Sequence, residues 1–139
     1  MRPRGFTFMA FLIAVGVAAA IFWVVTYGPV YLENFEVKSI LHETANMCYR
    51  ESVDEKVKDF FMNRMGSTFM IDAMEHGQMQ HVFKFEVDRE ELRIARREIP
   101  PAVNVWFTYR RTVTFPLVGG EREVVFVDHA EQDLTPVKW

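Results

Sequence analysis

The chain has a single cysteine, Cys48, and four histidines in 139 residues. A lone thiol excludes an intrachain disulfide, and its place at helical spacing from Leu41 and Ala45 marks it as a small buried apolar side chain. Basic residues are not in excess either. There are 16 Lys+Arg against 19 Asp+Glu, and beyond residue 27 the balance is 14 against 19, so the electrostatic footprint of a nucleic-acid binder is missing. No G-x-S-x-G elbow is present, and Gly119-Gly120 lacks the Lys-Ser/Thr that completes a phosphate loop. Glu75-His76 and His81 have no recognised ligand spacing, with or without Asp72, and Asp128-His129 has no nucleophile motif to serve. No catalytic residue, metal or cofactor is therefore expected. Repeats and low-complexity tracts are absent as well, and the length suits one small domain.

What the chain does have is a long apolar run. Phe6 to Thr26 holds 21 residues without a charge, and at ~1.5 Å per residue a helix of that length matches the hydrocarbon core of a bilayer. Ala18-Ala19-Ala20 resembles a signal cleavage site, but Ile21 to Val25 continue the run, which favours a retained anchor. Residues 6–27 are thus read as a transmembrane helix in contact with lipid. Arg2 and Arg4 precede it, so the positive-inside rule puts residues 1–5 in the cytoplasm and residues 28–139 outside. Trp23, Tyr27 and Tyr31 fall near the outer end, where amphipathic rings anchor, and Tyr31 reads equally well as domain core.

Beyond the span, Gly28-Pro29 is expected to break or kink the chain and restart a helix. Val37, Ile40, Leu41, Ala45 and Cys48 then form an apolar stripe to about Tyr49. Ser52-Val53-Asp54-Glu55 reads as a capping box for a second helix, with Val53, Val57, Phe60, Phe61 and Met65 on one face and Gly66 as its stop. Residues 67 to 81 carry methionines without a stable period and are expected to form a short helix or ordered loop. Val82 to Val87 alternates, and Glu91 to Glu98 fits either a strand or a charged helix and is read as a strand ahead of the Pro100-Pro101 turn. Val103, Val105, Phe107 and Tyr109 mark the clearest strand, which continues to Phe115. Leu117 to Gly120 turns the chain into a third strand from Glu123 to Val127, followed by a loosely held tail from His129 to Trp139. The fold expected is α+β, a transmembrane helix followed by two helices on an antiparallel sheet of about three strands. Trp106 faces away from Phe107, where it fits either the second core face of a helix-covered sheet or a contact surface, and with Arg110 and Arg111 it supplies the candidate interaction residues. Adjacent strand residues point to opposite faces, so neither Arg96-Arg97 nor Arg110-Arg111 forms one patch alone.

The order of these features resembles a proteobacterial family of short single-span inner-membrane proteins carrying a domain of unknown function. The resemblance rests on Arg4-Gly5-Phe6-Thr7 opening the span, Gly28-Pro29-Val30-Tyr31-Leu32-Glu33-Asn34, Val37-Lys38-Ser39-Ile40-Leu41, and the strands running from Tyr109 to Leu117 and from Val125 to His129. It covers most of the chain except residues 67 to 90, and implies an inner-membrane anchor and a periplasmic domain without assigning a site. Arg4-Gly5-Phe6-Thr7 before an apolar helix is also similar to type IV pilins and pseudopilins, which are cut after the glycine and methylated. Those proteins usually carry glutamate at the fifth mature position, where this chain has Ala10. The function expected is a non-enzymatic periplasmic domain working through contacts with an envelope protein or with itself, and the alternative is a pilin-like or pseudopilin-like subunit of a filament or secretion apparatus.

Overall fold

The computed structural model describes residues 4–136, and Arg2 and Trp139 lie outside the described residues. It is an α+β protein whose plan is consistent with that of pilins. Helix α1 spans Arg4–Met47 and α2 spans Asp54–Phe69. Strands β1 (Met70–Glu75) and β2 (Gln78–Phe83) form a separate hairpin. Strands β3 (Leu92–Glu98), β4 (Pro101–Thr114) and β5 (Glu121–Asp133) form an antiparallel sheet in the order β3-β4-β5.

The expected restart at Gly28-Pro29 does not occur, because α1 continues through Pro29 as one helix of 44 residues. Proline there removes a backbone donor and crowds the carbonyl one turn earlier, a cost of about 3 kcal/mol that must be offset by packing. Tyr27 and Val30, on either side of it, are both buried in the core, so packing supports the helix across the defect. The apolar stripe accordingly begins earlier than periodicity indicated, with Tyr27, Val30, Val37, Leu41, Ala45 and Cys48 all buried. This helix is long and apolar enough to cross a membrane, and side chains from Thr7 to Ala20 are exposed.

Two signals for α2 are displaced. Val53 occupies the N-cap without a side-chain cap, and its amide instead donates to the Glu51 carboxylate at 3.1 Å. Asp54 and Glu55 still suit the positive end of the helix dipole. Gly66 does not stop the helix, which runs one turn further. That turn places Phe69 on the buried stripe of Phe61 and Met65, and burial of a third large side chain outweighs the weak helix propensity of one glycine.

Residues 67 to 81 form neither a separate short helix nor a loop. They hold the end of α2 and most of a hairpin whose two-residue turn is His76-Gly77, with φ of 51° and 79°. Positive φ at both central residues is the geometry that matches strand twist in tight hairpins. The alternation expected through Val87 ends with β2 at Phe83. The expected loose tail is ordered as far as Asp133 within β5, and the Leu134 amide donates to the Pro101 carbonyl at 2.9 Å.

The core lies between the helices and one face of the β3-β4-β5 sheet. Val103, Val105, Phe107, Tyr109 and Val113 alternate inward from β4 and are buried, as period-2 geometry requires. Phe61 meets Phe107 edge-on at 4.8 Å between centroids, and Leu41 belongs to the same cluster.

Candidate functional site

The β4 pleat that sends Phe107 and Tyr109 inward sends Trp106, Thr108 and Arg110 to the opposite face. Register completes that outer face, since Trp106 lies opposite Arg93 of β3 and His129 of β5, Thr108 opposite Val127, and Arg110 opposite Val125. Trp106 is half-buried and stacks on the His129 ring at 5.1 Å, while His129 Nε2 lies 2.8 Å from Asn104 Oδ1. Val125 is 52% exposed and Val127 65% exposed. Ion pairs frame these apolar residues, with Arg110 and Glu123 at 3.3 Å and Arg97 and Glu131 at 3.7 Å. The face is thus a half-buried indole and two exposed valines bordered by charge.

The three candidate interaction residues do not share a surface. Trp106 and Arg110 lie on the outer face, whereas Arg111 turns inward and is only 11% exposed. Its guanidinium donates to the Glu33 carboxylate and lies 4.5 Å from the Phe85 ring centroid. Lys84 pairs with the same carboxylate, so Glu33 of α1 joins β4 to the segment after β2. Arg96 is also internal in role. It donates to the Cys48 carbonyl at 3.1 Å, the Glu51 carbonyl at 3.0 Å and Asp54 Oδ1 at 3.0 Å, which ties β3 to the connection between α1 and α2.

A buried polar cluster lies behind the sheet. Tyr109 donates its hydroxyl to Asn34 Oδ1 at 2.6 Å, and Lys38 Nζ lies 3.9 Å from Asp128 Oδ1. Asp128 is 3% exposed, and its Oδ2 has no hydrogen-bond partner among the described residues. Burial raises the Asp128 carboxyl above its ordinary range, with Lys38 and Asn34 opposing the shift in part. Burial, followed by the Asp128 charge, raises the Tyr109 phenol well above its ordinary range. The phenol, protonated at neutral pH in any case, therefore stays a hydrogen-bond donor into alkaline solution, which suits a structural bond. Burial also raises the Cys48 thiol, away from the thiolate form that reacts.

The remaining histidines and carboxylates lie on separate surfaces. Asp128 faces the core and His129 the outer face, because they are consecutive in β5. His81 Nδ1 pairs across the hairpin with Asp72 Oδ1 at 2.6 Å, while His76 sits in the turn. Among the described residues no group of three His, Cys, Asp or Glu side chains is placed to hold a metal ion. An open groove of about 560 Å³ between the end of α1 and α2 is lined, among the described residues, by Glu43, Asn46, Met47, Tyr49, Arg50, Phe60 and Gln132.

Sequence parity alone separates Arg110 from Arg111. It did not reveal the clamp at Arg96 or the Asn34, Tyr109 and Asp128 cluster, since both depend on which strand faces which helix. Family models, curated proteins and solved structures yield no match to this chain.

Proposed function

We propose that the chain is a single-pass, membrane-anchored domain of the bacterial envelope that works through protein contacts and not through catalysis. Its anchor is residues 6–27 in the inner membrane, and Arg2 and Arg4 orient the domain to the periplasm by the positive-inside rule. The observation that carries the reading is the outer sheet face, where Trp106, Val125 and Val127 remain uncovered by either helix. Aromatic and aliphatic residues ringed by charge are the composition of a protein interface.

Topology and contact are tested together in cells. Alkaline phosphatase fused after Trp139 is expected to be active and a cytoplasmic fluorescent reporter dark, and the reverse pattern rejects the orientation. A photo-crosslinking residue in place of Val127 is expected to give a discrete adduct that Trp106→Ala abolishes and that is missing when the same residue replaces Ser67 in α2. Equal adducts at both positions, or none at Val127, reject the outer face as the contact surface.

A pilin-like subunit is a second reading with its own support. The unbroken α1 carries exposed apolar residues past the span, with Leu32 67% and Phe35 65% exposed, as helix packing between subunits would require. Mass spectrometry of the mature N-terminus separates the readings: retained Met1 supports the anchor, and methylated Phe6 supports the pilin-like subunit.

A further inference from the structure

We propose that the tip of the β4–β5 hairpin, residues 115–120, is a second membrane contact that rests in the lipid headgroup and upper acyl region beside α1. The proposal rests on reading α1 as a bilayer span. The tip reads Phe-Pro-Leu-Val-Gly-Gly and carries no charge. Phe115 closes it, with its amide donating to the Gly120 carbonyl at 2.8 Å and its carbonyl accepting from the Gly119 amide at 3.3 Å. Gly119 takes a φ of 64° to make that turn. Leu117 is 84% exposed and Val118 80% exposed at its outermost point.

The depth of the tip follows from its contacts with α1. Tyr109 bonds Asn34, Phe126 meets the Tyr31 ring edge-on at 5.5 Å, and Phe115 meets Tyr27 at 6.2 Å and stacks with Phe22 at 6.3 Å. The hairpin therefore runs along α1 towards its N-terminal end. From Asn34 back to Phe22 is about 18 Å of helix, and from Tyr109 to Phe115 is about 20 Å of strand, so the two advance together. Phe22 lies inside the uncharged run from Phe6 to Thr26. A loop that packs against Phe22 with two further apolar side chains beyond it reaches the depth at which α1 enters lipid.

Lipid is the occupant this chemistry fits. The tip offers apolar side chains and no charged or hydrogen-bonding side chain for a protein partner to pair. Its backbone also limits the depth: Pro116 has no amide hydrogen and the Phe115 and Gly119 amides are bonded within the turn, but the remaining amides need headgroup or water partners. Glu121 and Arg122 follow at once, both exposed, and mark where the chain returns to water.

Depth-dependent quenching tests this in full-length protein reconstituted into vesicles of phosphatidylethanolamine and phosphatidylglycerol. In a Cys48→Ala background, Leu117→Cys carries an environment-sensitive fluorophore, with Val17→Cys as the span control and Ser67→Cys as the aqueous control. The label at 117 is expected to emit to the blue of that at 67, to lose iodide quenching and to be quenched by lipids with a nitroxide near the headgroup. Val118→Cys repeats the measurement should Leu117→Cys fail to fold. A label at 117 quenched by iodide as at 67, while that at 17 is quenched by lipid, overturns the tip contact and leaves the span. Iodide quenching at 17 as well overturns the span reading and the tip contact with it. A label at 117 shielded from both quenchers overturns the lipid occupant in favour of a protein contact.

Discussion

Tyr109 and Asn34 lie 75 residues apart, and the tyrosine hydroxyl donates to the Asn34 side-chain oxygen at 2.6 Å in the core. Above it Lys38 approaches Asp128, and below it Phe126 and Phe115 meet Tyr31 and Tyr27. The sheet is thereby fixed at one height on α1. A slip by one helical turn would strand the tyrosine hydroxyl and the asparagine amide without partners, so the polar pair specifies register that apolar packing alone leaves looser.

Tyr109→Phe isolates that bond because the ring and its packing remain. The buried Asn34 oxygen then loses its donor, and the variant is expected to be destabilised by about 1–3 kcal/mol. Urea unfolding in detergent measures this. An unchanged midpoint would mean that the bond contributes nothing to register or stability.

Phe107 is fully buried against Phe61 and stacks on Tyr109 at 5.5 Å. Truncation in Phe107→Ala removes contacts from both helix and sheet sides, and a loss of about 3–5 kcal/mol is expected. Trp106→Ala, on the other face, is expected to cost much less. Equal losses in the two thermal transitions would show that the outer face is as tightly packed as the core.

The contrast between these two residues was legible in the sequence because β4 is long and its alternation unbroken. Val103, Val105, Phe107 and Tyr109 announce their shared face, and Leu41 with Phe60 or Phe61 announces the helices that cover it, of which Phe61 is the one the core takes. The β1–β2 hairpin was not legible for a physical reason. None of its residues is buried, so no face is selected for apolar side chains and no period appears, and His76-Gly77 was not read as its turn. Gly66 and Pro29 misled because their local cost, about 1 and 3 kcal/mol, is offset by the burial of Phe69 at the one and of Tyr27 and Val30 at the other. Arg110 and Arg111 illustrate the limit for the site. Parity separates their faces, but only the fold shows Glu33 and Phe85 waiting for Arg111.

Asp128 makes stability depend on pH. Its carboxyl holds a proton more tightly folded than unfolded because of burial, so the unfolded chain releases its proton first as pH rises past the ordinary 3.8. Stability from this group is full below that pH, falls as pH climbs through the raised folded value, and stays reduced above it. Asp128→Asn removes the dependence. The variant is expected to gain on the natural chain as pH rises from 4 towards neutrality, with the difference in Tm levelling off above the folded pKa. A difference that shrinks with rising pH would show that Lys38 stabilises the charged form more than burial opposes it.

Arg96 holds three acceptors at once, two of them the carbonyls of Cys48 and Glu51 just past the end of α1, where amide donors run out. The third, Asp54 Oδ1, receives both Nε and Nη2 at 3.0 Å, and it opens α2. One planar guanidinium therefore fixes how the second helix leaves the first. Arg96→Ala is expected to destabilise by about 1–3 kcal/mol, the range for charge-assisted bonds partly open to solvent. Arg96→Lys keeps the charge but offers a point donor on a flexible stem, which cannot span two carbonyls and a carboxylate together. Less than half of the lost stability is expected to return with lysine, and hydrogen exchange at residues 48–54 is expected to speed up in both variants. Full recovery by lysine would show that charge near Asp54 matters and the fork geometry does not.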